Sequence, residues 1–227
     1  MNNSAPNPDL LHSLGRLVRG LSALFWGLPL ALIICVGTAS AGWFQLYGVL
    51  PPLVTTGLLV FGLWQLDSFQ KQERPWRNAL DRAKIFALIN LGLSPFVFWW
   101  NHRPEFFLFD VSVTALALSG WFFLFSLNTV LVRLGAMLPD ETLRHETRQF
   151  TSLNQILLLA LLILTTVQVV LARIPQLPKQ LGPILALWDR GGFWLLVLLT
   201  LLPLAMTMAM IWKTKEVILD SVFGVRN

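Results

Sequence analysis

Few residues of this chain have the type and spacing that catalysis or metal binding requires. The sequence has no HExxH, GxSxG, P-loop or CxxC pattern, which are signatures of hydrolases, nucleotide-binding loops and zinc or redox sites. Its three histidines, His12, His102 and His145, lie in separate polar stretches, and Cys35 is the only cysteine. A single cysteine cannot form an internal disulfide or a cysteine-cluster metal site. We therefore expect a protein that is not an enzyme and that binds no cofactor or metal ion.

The strongest candidate site is a set of polar side chains inside apolar segments. Asp110 lies about one helical turn inside the segment 106–132. An intramembrane carboxylate is costly unless it is paired or hydrated, and it is a functional candidate by default. At helical spacing, polar residues of this segment share a face, and the segment 153–172 carries a matching stripe. The two stripes define a predicted polar seam of Asp110, Thr114, Asn128, Asn154, Gln168 and Arg173.

Two roles for the polar seam follow from its composition. In an antiparallel hairpin, Asn128 would meet Asn154 at one end, and Asp110 would meet Gln168 or Arg173 at the other. Interhelical hydrogen bonds of this kind average about 0.6 kcal/mol, so they orient helices more than they hold them together. The alternative role is a substrate or proton pathway, for which a lone carboxylate without a second acid or histidine is a poor relay.

The composition indicates which elements position these residues. The chain has 227 residues, of which 55% are hydrophobic and 13% are charged, with a mean hydropathy of +0.64. Soluble domains carry about 25% charged residues. We predict an all-α polytopic membrane bundle, with residues 1–227 as a single membrane domain. Its six spans are expected at about 21–43, 50–66, 85–100, 106–132, 153–172 and 193–212.

The distribution of Lys and Arg predicts the orientation of the bundle. Thirteen of the 17 basic residues fall on the side of the termini and of the stretches 67–84, 133–152 and 213–227. Four fall on the other side. Cytoplasmic loops carry the excess of Lys and Arg, so both termini and these stretches are predicted to be cytoplasmic, as in a bacterial inner-membrane protein. The first span, with small residues at 39–41, also imitates a secretory signal, but its apolar run is longer than a signal core of roughly 7–15 residues.

The cytoplasmic charges are candidates for docking a partner. The stretch 139–150 is the densest run of charge, and we interpret it as a short polar helix at the membrane surface. The candidate docking residues are Arg77, Arg82, Lys84, Arg144, Arg148, Lys213 and Lys215. The alternative is a solvated rim beside lipid headgroups. The net charge of +5 is better explained by such membrane-flanking residues than by nucleic-acid binding, for which no soluble basic surface is available.

An internal repeat is a further hypothesis. With an offset of 64 residues, 75–90 aligns with 139–154 without a gap. Four aligned pairs match in type: Pro75 with Pro139, Lys84 with Arg148, Phe86 with Phe150, and Asn90 with Asn154. In a duplicated hairpin, spans two and three and spans four and five would be copies of one another, and many transporters are built from repeats. The alternative is coincidence, since any segment that turns into the membrane at its inner surface favours a proline, a basic residue and an aromatic residue.

These observations give one leading function and a rival. The leading hypothesis is a non-catalytic structural or accessory subunit, whose partners are the lipid bilayer and other membrane subunits or further copies of itself. The rival is a small transporter or permease domain, favoured by the possible repeat, by Pro95 and Pro203 within spans, and by the polar seam. A lipid-active enzyme is a third class, for which the sequence supplies no catalytic residues.

Overall fold

The structure is a computed structural model that describes residues 8–40, 45–69, 72–103, 105–138, 141–172 and 182–223. Over these ranges the chain has no β-strand and is helical apart from short connections, and a short 3-10 turn occupies Gln45–Tyr47. The α-helices are α1 (Pro8–Ser40), α2 (Leu50–Leu66), α3 (Arg74–Leu93), α4 (Pro95–His102), α5 (Phe107–Met137), α6 (Glu141–Ala172) and α7 (Gly182–Phe223). The predicted all-α architecture is confirmed.

Within the part of the chain that the structure describes, five stretches are long and apolar enough to cross a membrane. They are His12–Ser40, Arg74–His102, Phe107–Met137, Arg144–Val167 and Trp194–Asp220. The second predicted span, 50–66, is α2, a shorter apolar helix of 17 residues, about 25 Å long at the usual rise of about 1.5 Å per residue. That length is at the lower limit for a hydrocarbon core of about 30 Å. The chain is therefore a multi-pass helical membrane protein.

The helices extend further into the polar stretches than the sequence predicted. The separate surface helix expected at 139–150 is wrong, because α6 runs without a break from Glu141 to Ala172. No Gly or Pro occurs in that range, so no residue type that commonly ends a helix is present. The spans predicted at 153–172 and 193–212 imply a loop at 173–192. That loop is wrong from Gly182 onward, because α7 begins there with Pro183 in its first turn, a position that suits proline.

Neighbouring helices form a closed ring. Contacts connect α1 with α2, α2 with α3, α3 with α5, α5 with α6, α6 with α7, and α7 with α1. Helix α5 also contacts α4 and α7. The buried core lies between these helices and consists mainly of leucine, including Leu21, Leu63, Leu80, Leu127 and Leu131. Burial of these leucines is concentrated in the half of the bundle that the basic residues assign to the cytoplasm.

A proline separates α3 from α4 within one span. Pro95 has no backbone N–H, so the carbonyl oxygen of Leu91 lacks its usual donor. The Ser94 hydroxyl donates to that oxygen at 3.0 Å and accepts a bond of 3.1 Å from Thr56 of α2. The interruption between α3 and α4 therefore coincides with Pro95, and the freed backbone group is satisfied by a neighbouring side chain, as tolerated prolines in membrane helices require.

Close approach of α1 and α2 depends on two glycines. A Cβ atom built on Gly20 would lie 2.7 Å from the carbonyl oxygen of Gly62, and one on Gly62 would lie 2.8 Å from Leu24 Cγ. Small residues that let backbones approach are a recurrent basis of helix packing in membranes. Small residues within the spans predict close packing at Gly57, Gly62 and Gly120. The prediction is not met at two of them, because a Cβ on Gly57 would meet only Leu91 at 3.8 Å and one on Gly120 meets nothing within 4 Å.

Candidate functional site

The inner end of the predicted seam is a direct contact between two buried amides. Asn154 Nδ2 of α6 donates to Asn128 Oδ1 of α5 at 3.0 Å. Both side chains are completely buried. The helical period places each asparagine on the face that meets the other helix, which is the contact that the two stripes predicted. Asn128 Nδ2 also donates to the Leu124 carbonyl of its own helix at 2.8 Å.

Thr207 of α7 also takes part in this contact, and the sequence did not predict its role. Thr207 is also fully buried. Its hydroxyl lies 2.9 Å from Asn154 Nδ2 and 3.1 Å from Asn128 Nδ2. It donates to the Pro203 carbonyl at 2.8 Å, and that carbonyl also accepts from Asn154 Nδ2 at 3.2 Å. Asn128, Asn154 and Thr207 are called the polar junction below.

The polar junction connects three helices through groups that do not titrate near neutral pH. Two amides and one hydroxyl can exchange hydrogen bonds, but they cannot carry charge as a carboxylate or imidazole does. Among the described residues, Asn154 Oδ1 has no hydrogen-bond donor although it is buried. Interhelical bonds of this kind contribute about 0.6 kcal/mol each. The arrangement therefore fixes the relative rotation of α5, α6 and α7 and supplies no proton relay.

A tryptophan extends the α5–α6 contact away from the polar junction. Trp121 Nε1 donates to the Leu158 carbonyl oxygen at 2.7 Å. Both residues lie on the stripes that share a face with the polar seam, and Leu158 is buried. On the other side of the junction, the Thr151 hydroxyl lies 3.7 Å from Met210 Sδ. In the middle of the seam, α5 and α6 are thus joined by a hydrogen bond from a side chain of α5 to a backbone carbonyl of α6.

The outer end of the predicted seam is only partly described. The side chains of Asp110 and Thr114 are exposed, and the Thr114 hydroxyl donates to the Asp110 backbone carbonyl at 2.9 Å. Asp110 lies in the first turn of α5, where the positive end of the helix dipole favours a carboxylate. The Gln168 side chain and the whole of Arg173 lie outside the described residues, so the pairing of Asp110 with either stays a prediction.

A second buried amide packs against the opposite face of α5. The Ser119 hydroxyl of α5 donates to Asn90 Oδ1 of α3, and both side chains are buried. In the hypothetical repeat, Asn90 corresponds to Asn154, and its partner would lie on α2. The observed partner lies on α5, so this contact does not follow the duplicated hairpin, which stays a hypothesis.

Three of the predicted docking residues make contacts within the protein. Lys84 Nζ lies 2.8 Å from the Asp67 carboxylate and connects α3 with the end of α2. Lys213 of α7 forms an ion pair with Glu146 of α6. Arg144 Nη2 donates to the Ala136 carbonyl at 3.1 Å, in the last turn of α5, where backbone carbonyls lack intrahelical donors. A positive charge is also favourable at that end of a helix.

The other predicted docking residues are placed differently. Arg77, Arg82 and Arg148 are exposed. Lys215 is half-buried, with its ammonium 5.4 Å from the ring centre of Trp212, a distance at which a cation–π contact contributes modestly. Of the docking set, Arg77 and Arg148 are therefore the residues most available to a partner, while Arg82 lines a groove considered below.

Comparisons with known proteins found no relative of this chain. No protein-family model matches the chain, and no curated protein or solved structure matches it. Within the described residues, no three His, Cys, Asp or Glu side chains lie close enough to hold a metal ion together. What supports a function is therefore the helical membrane architecture and the contacts just described.

Proposed function

We propose that this protein is a non-catalytic accessory subunit of a membrane assembly in a bacterial inner membrane. The observation that carries the proposal is the filled interior at the polar junction. Asn128, Asn154 and Thr207 are fully buried and hydrogen-bonded to one another, and Leu127 and Ile211 beside them are also fully buried. Close packing of these side chains holds the helices rigidly together, and none of the side chains in the junction is titratable near neutral pH.

A cytoplasmic surface supports a docking role. Arg77 at the start of α3 and Arg148 on α6 are exposed cations. Arg144 has a contact with the end of α5 instead, and Lys84 and Lys213 have carboxylate partners. Exposed arginine is enriched at protein interfaces. The proposed partner surface is therefore acidic and lies on the cytoplasmic side.

Native mass spectrometry after gentle extraction from the source membrane tests the proposal. The expected result is a complex of this chain with a second membrane protein. Arg148→Glu should weaken recovery of that partner, and Arg77→Glu should add to the loss. Recovery of the chain only as a monomer with bound lipid would contradict the subunit role. Arg144→Glu is less informative, because it also removes the bond to Ala136.

The second candidate function is a small transporter or permease domain. It is favoured by Pro203 inside α7 and by the side-chain amide oxygen Oδ1 of Asn154, which has no donor among the described residues. Transporter sites commonly use irregular helices near the membrane midplane. A transport pathway through this region would need water to reach Thr207, which is fully buried in this conformation.

A further inference from the structure

A basic groove lies on the surface between α3 and α5. It has a volume of about 410 Å³ and is lined by three arginines, Arg74 and Arg82 from α3 and Arg133 from α5. All three side chains are exposed. In the part of the chain that the structure describes, none of the three pairs with a carboxylate. Asn78 and Thr129 also line the groove, so neutral hydrogen-bonding groups lie among the cations.

The spacing of the three arginines explains why they meet. Arg74, Asn78 and Arg82 follow one another at four-residue intervals and therefore share one face of α3. Helices α3 and α5 run antiparallel, since Asn90 contacts Ser119 and Phe86 stacks on Phe122 at 5.3 Å. Continuing that register toward the cytoplasm places Arg74 near Arg133.

An exposed apolar surface continues directly from the groove toward the membrane interior. On α3, Ile85 and Ile89 follow Arg82 and are 56% and 40% exposed. On α5, Phe125 lines the groove and Phe122 lies one turn further into the membrane, and both are exposed. The groove therefore lies where the surface changes from basic to apolar, which is the depth of lipid phosphates.

We propose that this groove binds the phosphate of an anionic phospholipid whose acyl chains lie along the exposed α3–α5 surface. Guanidinium groups donate in pairs to phosphate oxygens. Basic pockets between membrane helices on the cytoplasmic side bind anionic headgroups in other proteins. The apolar surface selects a lipid over a soluble phosphate, because only a lipid also covers Phe122 and Ile85. The site is separate from the polar junction, so it stands whether or not the protein is an accessory subunit.

Native mass spectrometry of the delipidated full chain in detergent, titrated with phosphatidylglycerol or phosphatidylcholine, tests this site. The wild type should retain phosphatidylglycerol more tightly than phosphatidylcholine. The triple variant Arg74→Gln, Arg82→Gln and Arg133→Gln should weaken phosphatidylglycerol binding by about tenfold or more, given the attraction of each cation to anionic lipid. The matched control changes to Gln three exposed cations that do not line the groove, Arg16, Arg19 and Arg148. It should stay within about twofold of the wild type, because solvent and salt screen exposed charges that do not touch the bound phosphate.

Two further arms separate the lipid from a soluble anion. Phe122→Ala should weaken phosphatidylglycerol binding and leave binding of glycerol phosphate, a soluble headgroup, unchanged. Glycerol phosphate that binds as tightly as phosphatidylglycerol would overturn the lipid proposal. An equal loss in the triple variant and its control would also overturn it, because general surface charge would then account for the binding. Thermal unfolding of each variant checks that the exposed substitutions leave the fold intact.

Discussion

At the scale of single residues, Asn154 of α6 has hydrogen-bond partners on two other helices, α5 and α7. Its amide nitrogen lies within hydrogen-bonding distance of Asn128 Oδ1, Thr207 Oγ1 and the Pro203 carbonyl. An amide nitrogen has two hydrogens for these three acceptors, so it is shared among them. Because these acceptors lie on α5 and α7, the Asn154 side chain fixes how α6 is rotated about its axis relative to those two helices.

Replacing Asn154 with leucine should lower stability. The leucine is similar in volume but cannot donate, so Asn128 Oδ1 and the Pro203 carbonyl lose a donor in the buried junction. We expect a loss of about 1–2 kcal/mol, measured by reversible unfolding in mixed micelles. Thr166→Val on the same helix is the matched control, because the Thr166 hydroxyl is exposed and bonds only to Leu162 of its own helix. Equal stability of both variants would contradict this role.

The sequence predicted two of the three residues of the polar junction, for a physical reason. Helical period alone aligns Asn128 and Asn154 once two adjacent spans form a hairpin. Thr207 was missed because the period does not tell which third helix packs against that hairpin. A signal was present, since Thr207 follows Pro203 by one turn in a segment with few polar residues, but threonine hydroxyls in membrane helices often bond only to their own backbone, as Thr200 does to Leu196.

At the scale of elements, the helices are longer than their apolar segments. Helix α1 begins at Pro8 rather than near residue 21, so Gly20 lies inside the helix and packs on Gly62 of α2. The sequence suggested Gly62 as a packing residue but missed Gly20, because hydropathy marks where lipid begins and not where a helix begins. At Gly57 and Gly120 the error is the opposite one. The sequence predicted close packing there, but both glycines face open space or only a distant side chain.

Two glycines of α2 provide a matched test of the α1–α2 contact. Gly62→Ala places a methyl group 2.8 Å from Leu24 Cγ and 3.1 Å from the Gly20 carbonyl oxygen. We expect a loss of about 1–3 kcal/mol, the usual effect of overpacking. Gly57→Ala should be neutral or stabilising by up to about 1 kcal/mol, because alanine is the better helix former. Thermal unfolding in detergent measures both, and equal midpoints would contradict the proposed close contact.

At the scale of the whole molecule, composition was sufficient for the fold class and insufficient for the order of neighbours. A low fraction of charged residues and repeated apolar segments require membrane helices. The closed ring, and the packing of α3 against α5 as well as α2, depend on side-chain shape that hydropathy does not record. The orientation of the ring is a further prediction from the basic residues.

Cysteine labelling tests that orientation. In a Cys35→Ala background, Tyr47→Cys and His145→Cys place single thiols at exposed positions on opposite sides of the bundle. An impermeant maleimide should label position 47 in intact cells and position 145 only after the membrane is opened. Labelling of position 145 in intact cells would reverse the assigned orientation.

The most direct test of the filled interior is the reactivity of Thr207→Cys, again with Cys35 replaced by alanine. Cysteine is close in size to threonine, so the junction should keep its packing. The reaction rate with a small impermeant methanethiosulfonate is measured in right-side-out and inside-out vesicles, with His145→Cys as the reactive reference. A sealed junction predicts that position 207 stays unmodified from both sides after the reference has fully reacted. Modification from either side would show that water reaches the junction and would favour the transporter over the accessory subunit.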